Sequence, residues 1–104
     1  MNCRIILTAE AQKNLASIAN PVIREQIVKR IDIFEQHPDF GKPLRGILSG
    51  YRSLRAARNR YRIIYKYDRK EALVTIIAIG IRKSEDYTDI YKTMERVIKR
   101  GKLN

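Results

Sequence analysis

The segment at residues 72–81 constrains the fold of this chain more than any other. Its sequence, Ala-Leu-Val-Thr-Ile-Ile-Ala-Ile-Gly-Ile, is apolar on both faces except at Thr75. Such a strand is expected at the centre of a sheet or beneath well-covered faces. The remaining residues must therefore supply neighbouring strands and the helices that cover them.

Two more strands are predicted just before it, at residues 51–57 and 60–67, joined by a turn at Arg58-Asn59. Alternation divides the second of these strands into an aromatic face and a basic face. The aromatic face carries Tyr61, Ile63, Tyr65 and Tyr67. The basic face carries Arg60, Arg62, Ile64 and Lys66. We expect the first face to pack on helices and the second to form the floor of a basic groove.

The first half of the chain predicts a strand at residues 2–8 followed by two helices. Thr8 is a suitable N-cap for a helix through Ile18, and Asn20-Pro21 is a second helix start. That second helix is expected to end at His37-Pro38. A last helix is predicted to begin at Ser84, with an apolar stripe formed by Tyr87, Ile90, Tyr91, Met94, Val97 and Ile98.

These elements define the expected fold class. It is α+β: an N-terminal strand, two helices, a three-stranded antiparallel meander and a C-terminal helix, with the helices on one face of the sheet. At 104 residues the chain is expected to form one domain spanning residues 1–104.

Charge is concentrated in the second half. The chain carries a net charge of +11, and residues 51–104 hold 15 of its 22 basic residues but 6 of its 11 acidic ones. The stretch at residues 51–66 contains no acid. Its cations are Arg52, Arg55, Arg58, Arg60, Arg62 and Lys66. Arginine binds phosphate through two N–H groups at once, so a nucleic acid is favoured over a metabolite as the ligand. A nucleic-acid or acidic-protein partner is in turn favoured over a basic surface that is only solvated.

Composition excludes several classes of site. One histidine, one cysteine and no clustered carboxylates leave no metal site, and no Gly-rich phosphate loop or nucleophile elbow occurs, so no cofactor is expected. Cys3 has no partner for a disulfide, and the sequence shows neither a signal peptide nor a membrane segment. The sequence therefore predicts a cytoplasmic protein that does not bind membranes.

Chemistry must then be built from Arg, Lys and Tyr. This inventory suits cleavage of RNA, which supplies its own 2′-hydroxyl nucleophile. If Tyr67 pairs with Ala72, Arg82 comes to the Arg62 end of the sheet, where the two can clamp a phosphate. The alternative is that both arginines are solvated edge residues.

The remaining candidates for catalytic residues are two tyrosines and one histidine. Tyr87 and Tyr91 lie one helical turn apart, and spacing alone favours a role in core packing, although a tyrosine hydroxyl beside arginines can also transfer protons. His37 precedes a proline in the other half of the chain and is interpreted as a loop residue.

Three motifs resemble the RelE/ParE superfamily of type II toxin–antitoxin toxins over nearly the whole chain. They are Gly50-Tyr51-Arg52-Ser53-Leu54-Arg55, Arg60-Tyr61-Arg62-Ile63-Ile64-Tyr65, and Ile79-Gly80-Ile81-Arg82-Lys83 with Asp89-Ile90-Tyr91. The RelE branch of this superfamily implies a ribosome-dependent mRNA endoribonuclease that cuts in the A site by 2′-hydroxyl attack and inhibits translation. The ParE branch implies inhibition of DNA gyrase without nuclease activity. A third reading is a basic protein that only binds RNA.

The resemblance also implies roles for individual residues. Arg62 and Arg82 match the arginines that bind the scissile phosphate, and Tyr91 matches the catalytic tyrosine, with Tyr87 as the alternative because three extra residues separate Arg82 from Tyr91. Arg55 stands in for one residue of the family's lysine pair, and Ser53 occupies roughly the other position. The remaining expected RNA-binding residues are Arg52, Arg58, Arg60, Lys66 and Lys83. The implied partners are the ribosome, mRNA and a RelB-like antitoxin with an acidic or amphipathic binding segment.

Overall fold

The computed structural model describes residues 2–83 and 89–99 and contains one five-stranded sheet in the order β1-β5-β4-β3-β2. The strands are Arg4–Leu7 (β1), Lys42–Pro43 (β2), Arg52–Ala56 (β3), Tyr61–Asp68 (β4) and Leu73–Ile81 (β5). β1 runs parallel to β5, and the other neighbours pair antiparallel. The predicted α+β class and the three-stranded meander are confirmed, and the apolar strand β5 lies inside the sheet between β1 and β4.

The helices are Ala9–Ala16 (α1), Pro21–Asp32 (α2) and Ile90–Lys99 (α3). Both predicted caps of the first two helices are present. The Thr8 hydroxyl accepts the backbone N–H of Ala11, and the Asn20 side chain accepts those of Val22 and Ile23. α2 ends earlier than predicted because residues 33–35 tighten into a turn of 3₁₀ helix. The predicted cap of the last helix, Ser84, lies outside the described residues.

No helix within residues 2–83 and 89–99 combines the length and the apolar composition that crossing a bilayer requires.

The hairpin turn lies where it was predicted. Arg58 and Asn59 both have positive φ, 58° and 65°, as a type I′ turn requires, and Arg60 N–H donates to the Ala57 carbonyl at 3.2 Å. The register between β4 and β5 differs from the expected one. Tyr67 pairs with Val74 rather than Ala72, because Ala72 has a φ of 49° and belongs to the turn.

The sheet is covered on both faces, which corrects the expectation that all helices share one face. α1, α2 and the 3₁₀ turn pack on one face, which includes Ile63, Tyr65 and Ile76. α3 packs on the other, against Ile64 and Ile77. The physical reason lies in β5, whose two apolar faces both require burial.

Candidate phosphate-binding site

A cavity of about 270 Å³ opens on the α3 face, near the hairpin end of the sheet. Six side chains line it: Lys42, Ser53, Arg55, Arg62, Arg82 and Tyr91. Four of the six are cationic and none is acidic. The cavity is therefore a concave, positively charged site of the kind that attracts phosphate.

The hairpin supplies two of the arginines as a direct cross-strand pair. Arg55 of β3 lies opposite Arg62 of β4, so both side chains leave the sheet on the α3 face. One terminal nitrogen of Arg62 donates to the Asn59 carbonyl at 2.6 Å and the Tyr61 carbonyl at 3.1 Å. These bonds fix the guanidinium, and its other N–H groups have no partner within residues 2–83 and 89–99. Like charges directly opposite destabilise a sheet, so an anion between them would be stabilising.

Arg82 reaches the same place from the end of β5. Its backbone N–H donates to the Arg60 carbonyl at 2.8 Å, which extends the ladder beyond the Arg62–Gly80 pair. Its guanidinium pairs with Asp89 at 2.8 Å and lies over the Tyr91 ring at 4.8 Å. Arg62 and Arg82 thus meet at one end of the sheet, as expected from sequence, although the register that brings them there is the corrected one.

Tyr91 packs in the core through its ring and reaches the cavity through its hydroxyl. Its ring is partly buried and packs against the apolar cluster beneath α3. Its hydroxyl lies 2.7 Å from the hydroxyl of Ser53, inside the cavity. The alternative candidate, Tyr87, lies outside the described residues.

Sequence reasoning missed two residues of this region. Lys42 was not among the predicted site residues, but it belongs to the two-residue edge strand β2, pairs with Ser53 and lines the cavity. Asp89 was noted only as part of a motif, yet it is fully buried and bonded to Arg82 and to the backbone of Tyr91. The helix predicted to begin at Ser84 would have contained Asp89, whereas α3 begins at Ile90 and Asp89 is the residue that caps it.

The other expected nucleic-acid-binding residues do not line the cavity. Arg58 and Arg60 are exposed in the hairpin turn, and Lys83 is exposed just beyond β5. Lys66 lies over the Tyr51 ring at 4.8 Å, four residues along β4 from Arg62. Arg52 projects from the opposite face and donates to the carbonyls of Asp39 and Gly41.

The donor set does not suit a metal. Within residues 2–83 and 89–99, no three His, Cys, Asp or Glu side chains come together as a group that could hold an ion. His37 lies near Phe40, with ring centroids 6.2 Å apart, and is not among the residues that line the cavity.

The sequence matches the model of one known protein family. The model of the family described as ParE toxin of type II toxin–antitoxin systems matches residues 5–87. No curated protein sequence matches at significant similarity.

Solved structures give several similar folds. The RelBE2 toxin–antitoxin complex from Mycobacterium tuberculosis has 28% identity and a TM-score of 0.69, covering 79% of this chain and 100% of that one. A free mutant of Escherichia coli RelE has 19% identity and a TM-score of 0.72, covering 95% and 98%. A chromosomal ParDE system from Pseudomonas aeruginosa has 17% identity and a TM-score of 0.61, covering 76% and 95%.

Proposed function

Because the chain belongs to the ParE toxin family, within the RelE/ParE superfamily of type II toxin–antitoxin toxins, we propose that it is a ribosome-dependent mRNA endoribonuclease. It acts as a single domain spanning residues 1–104, cuts mRNA in the A site and so inhibits translation. The observation that supports this proposal is the cavity itself, where three arginines, one lysine and a tyrosine hydroxyl share one cationic site.

The cationic side chains match the charge that develops during cleavage. A phosphodiester carries one negative charge, and attack at phosphorus adds a second in the phosphorane-like transition state. Arg62 and Arg82 supply charged N–H donors for the non-bridging oxygens, and Arg55 adds a third guanidinium. Preorganised donors of this kind act on the transition state more than on the ground state.

The chemical step needs no nucleophile from the protein. The 2′-oxygen bonds to phosphorus as the bond to the 5′-oxygen breaks, leaving a 2′,3′-cyclic phosphate and a 5′-hydroxyl. Tyr91 donates its hydroxyl proton to the departing 5′-oxygen. The proton of the attacking 2′-hydroxyl passes through water and restores Tyr91, so that the protons balance.

The expected partners are the ribosome, mRNA and a RelB-like antitoxin. Relatives with solved structures include RelBE complexes, which supports the antitoxin. Phosphate contacts release counterions, so ribosome binding is expected to weaken by orders of magnitude between about 50 and 200 mM salt. A flat salt dependence would contradict a phosphate-binding site.

A reconstituted translation reaction tests the function. Purified protein is added to it, the 5′ ends of the mRNA are mapped, and a parallel reaction omits ribosomes. Cuts at A-site codons only with ribosomes support the proposal, and Arg62→Ala, Arg82→Ala and Tyr91→Phe should each slow them by orders of magnitude without abolishing them. Intact mRNA in both reactions would overturn it, and binding without cleavage would instead indicate a protein that only binds RNA.

One observation favours the alternative of gyrase inhibition, since the matching family model is that of ParE toxins. A DNA supercoiling assay with purified gyrase separates the two. Inhibition of supercoiling by a protein that leaves mRNA intact would assign it to the gyrase inhibitors.

A further inference from the structure

Asp89 is the one acid among the described residues that is fully buried, and it sits beside the cationic cavity without lining it. Among the described residues, three donors share its carboxylate: the Arg82 side chain and two backbone N–H groups. One oxygen accepts from the Arg82 guanidinium at 2.8 Å and from the Lys83 backbone N–H, and the other accepts the Tyr91 backbone N–H at 3.0 Å. Asp89 therefore joins the end of β5 to the first turn of α3.

We propose that Asp89 is a positioning residue that holds Arg82 and Tyr91 in register for cleavage. This inference rests on the proposed function and deepens it. Asp89 orients the Arg82 side chain and, by capping α3, fixes the backbone that carries Tyr91. The guanidinium then stacks on the Tyr91 ring, while no other residue of the described ranges bonds its remaining N–H groups, which can donate to phosphate.

Capping a helix and orienting a guanidinium require different chemistry of the residue 89 side chain. A cap needs only an acceptor oxygen, and asparagine caps helices about as well as aspartate. Orienting a guanidinium through a charged pair needs the carboxylate, because charge-assisted bonds are shorter and stronger than neutral ones. Asp89→Asn therefore separates the two roles while keeping the size of the side chain.

Gly80 allows this arrangement. A methyl group at residue 80 would lie 2.7 Å from Cδ1 of Ile90 and 3.1 Å from its Cβ. Glycine thus lets the start of α3 approach β5 closely enough for Asp89 to reach Arg82.

Single-turnover mRNA cleavage on ribosomes tests the proposal with Asp89→Asn and Asp89→Glu, each alone and combined with Arg82→Ala. We expect Asp89→Asn to lower the maximal rate about 10- to 100-fold, with apparent affinity changed less than about 2-fold, because misplaced groups lose rate rather than binding. Asp89→Glu should restore part of the rate. In the Arg82→Ala background, Asp89→Asn should have almost no additional effect.

The matched control is Asp68→Asn, the same change at an exposed aspartate whose side chain accepts the Glu71 N–H in a turn far from the cavity. It should cleave at the wild-type rate. Equal cleavage by Asp89→Asn and wild type, or an undiminished effect of Asp89→Asn without Arg82, would overturn the proposal.

A second readout does not depend on activity. In the wild type, the NMR signals of the Arg82 guanidinium should show restricted rotation, which Asp89→Asn should abolish. If the wild type fails to cut mRNA, the proposed function fails. The guanidinium signals then decide the role of Asp89 separately, and unchanged signals in Asp89→Asn would overturn it.

Discussion

The two faces of the sheet use the same strands for different purposes. On the face covered by α1 and α2, the Arg52 guanidinium donates hydrogen bonds to the carbonyls of Asp39 and Gly41. Three residue pairs along the same hairpin, on the α3 face, Arg55 and Arg62 line an open cavity. Whether an arginine of this hairpin bonds to a neighbouring loop or lines the cavity therefore depends on the face on which alternation places it. Composition alone does not distinguish the two cases.

The face under α1 and α2 also has the larger apolar cluster. Its cluster contains Phe34 and Tyr65, both fully buried, with ring centroids 4.1 Å apart. The Tyr65 hydroxyl accepts the Gly41 N–H at 2.8 Å, so even its polar atom is satisfied. The α3 face has a smaller apolar cluster, and its polar side chains gather at one end.

The largest predicted effect on stability lies on the face under α1 and α2. Phe34→Ala should lower the free energy of unfolding by about 3–5 kcal/mol, because it removes a large buried ring and leaves a cavity. Urea denaturation measures the change, and mRNA cleavage by the remaining folded protein should be unchanged. A fall in cleavage beyond the loss of folded protein would show that the two faces are coupled.

The arginines provide the sharpest contrast. Arg62→Ala should reduce cleavage by about 10²–10³-fold, since it removes a donor to the developing charge, and should cost about 1 kcal/mol of stability through its bonds to the Asn59 and Tyr61 carbonyls. Arg52→Ala should cost a similar amount of stability, about 1 kcal/mol, but little activity. Ribosomal cleavage kinetics and thermal melting of both variants test this, and equal losses of activity would refute the division between faces.

Lys42 tests how far the cationic site extends. Lys42→Gln is expected to reduce cleavage about 10-fold, the scale of one charge-assisted contact to phosphate. Lys13→Gln, on the exposed side of α1, is the matched control. Wild-type cleavage by Lys42→Gln would restrict the site to the arginines, Ser53 and Tyr91.

The smallest effect appears only at alkaline pH. Burial raises the pKa of Tyr65, so folding favours its neutral form. That stability is fully present below about pH 10, the ordinary tyrosine value, and is lost as the pH rises through the higher pKa of the folded state. Denaturation between pH 8 and 11 should show a shallower alkaline loss in Tyr65→Phe than in wild type, and identical slopes would contradict this assignment.

Local signals in the sequence predicted local structure well. The caps Thr8 and Asn20 and the turn at Arg58-Asn59 depend on neighbouring residues and appear as predicted. The meeting of Arg62 with Arg82 was also predicted, since a hairpin returns to the end from which it started.

Contacts between residues far apart in the sequence were harder to predict from local patterns. The irregularity between Ile64 and Tyr65 shifts the pairing of β4 with β5, and alternation does not reveal such a bulge. β2 is too short to have a pattern of its own, so Lys42 could not be placed. Asp89 resembles any helix cap until the fold brings Arg82 beside it. The placement of α3 on the second face follows from the two apolar faces of β5, a consequence that the sequence analysis did not draw.

The parallel pairing of β1 with β5 has a consequence for synthesis. β1 is synthesised well before β5, with Arg4 opposite Leu73, so the sheet cannot be completed until β5 has been made. The cavity is completed later still, because Tyr91 follows β5. A nascent chain that stops before Tyr91 would therefore carry the arginines of the hairpin without the complete cavity.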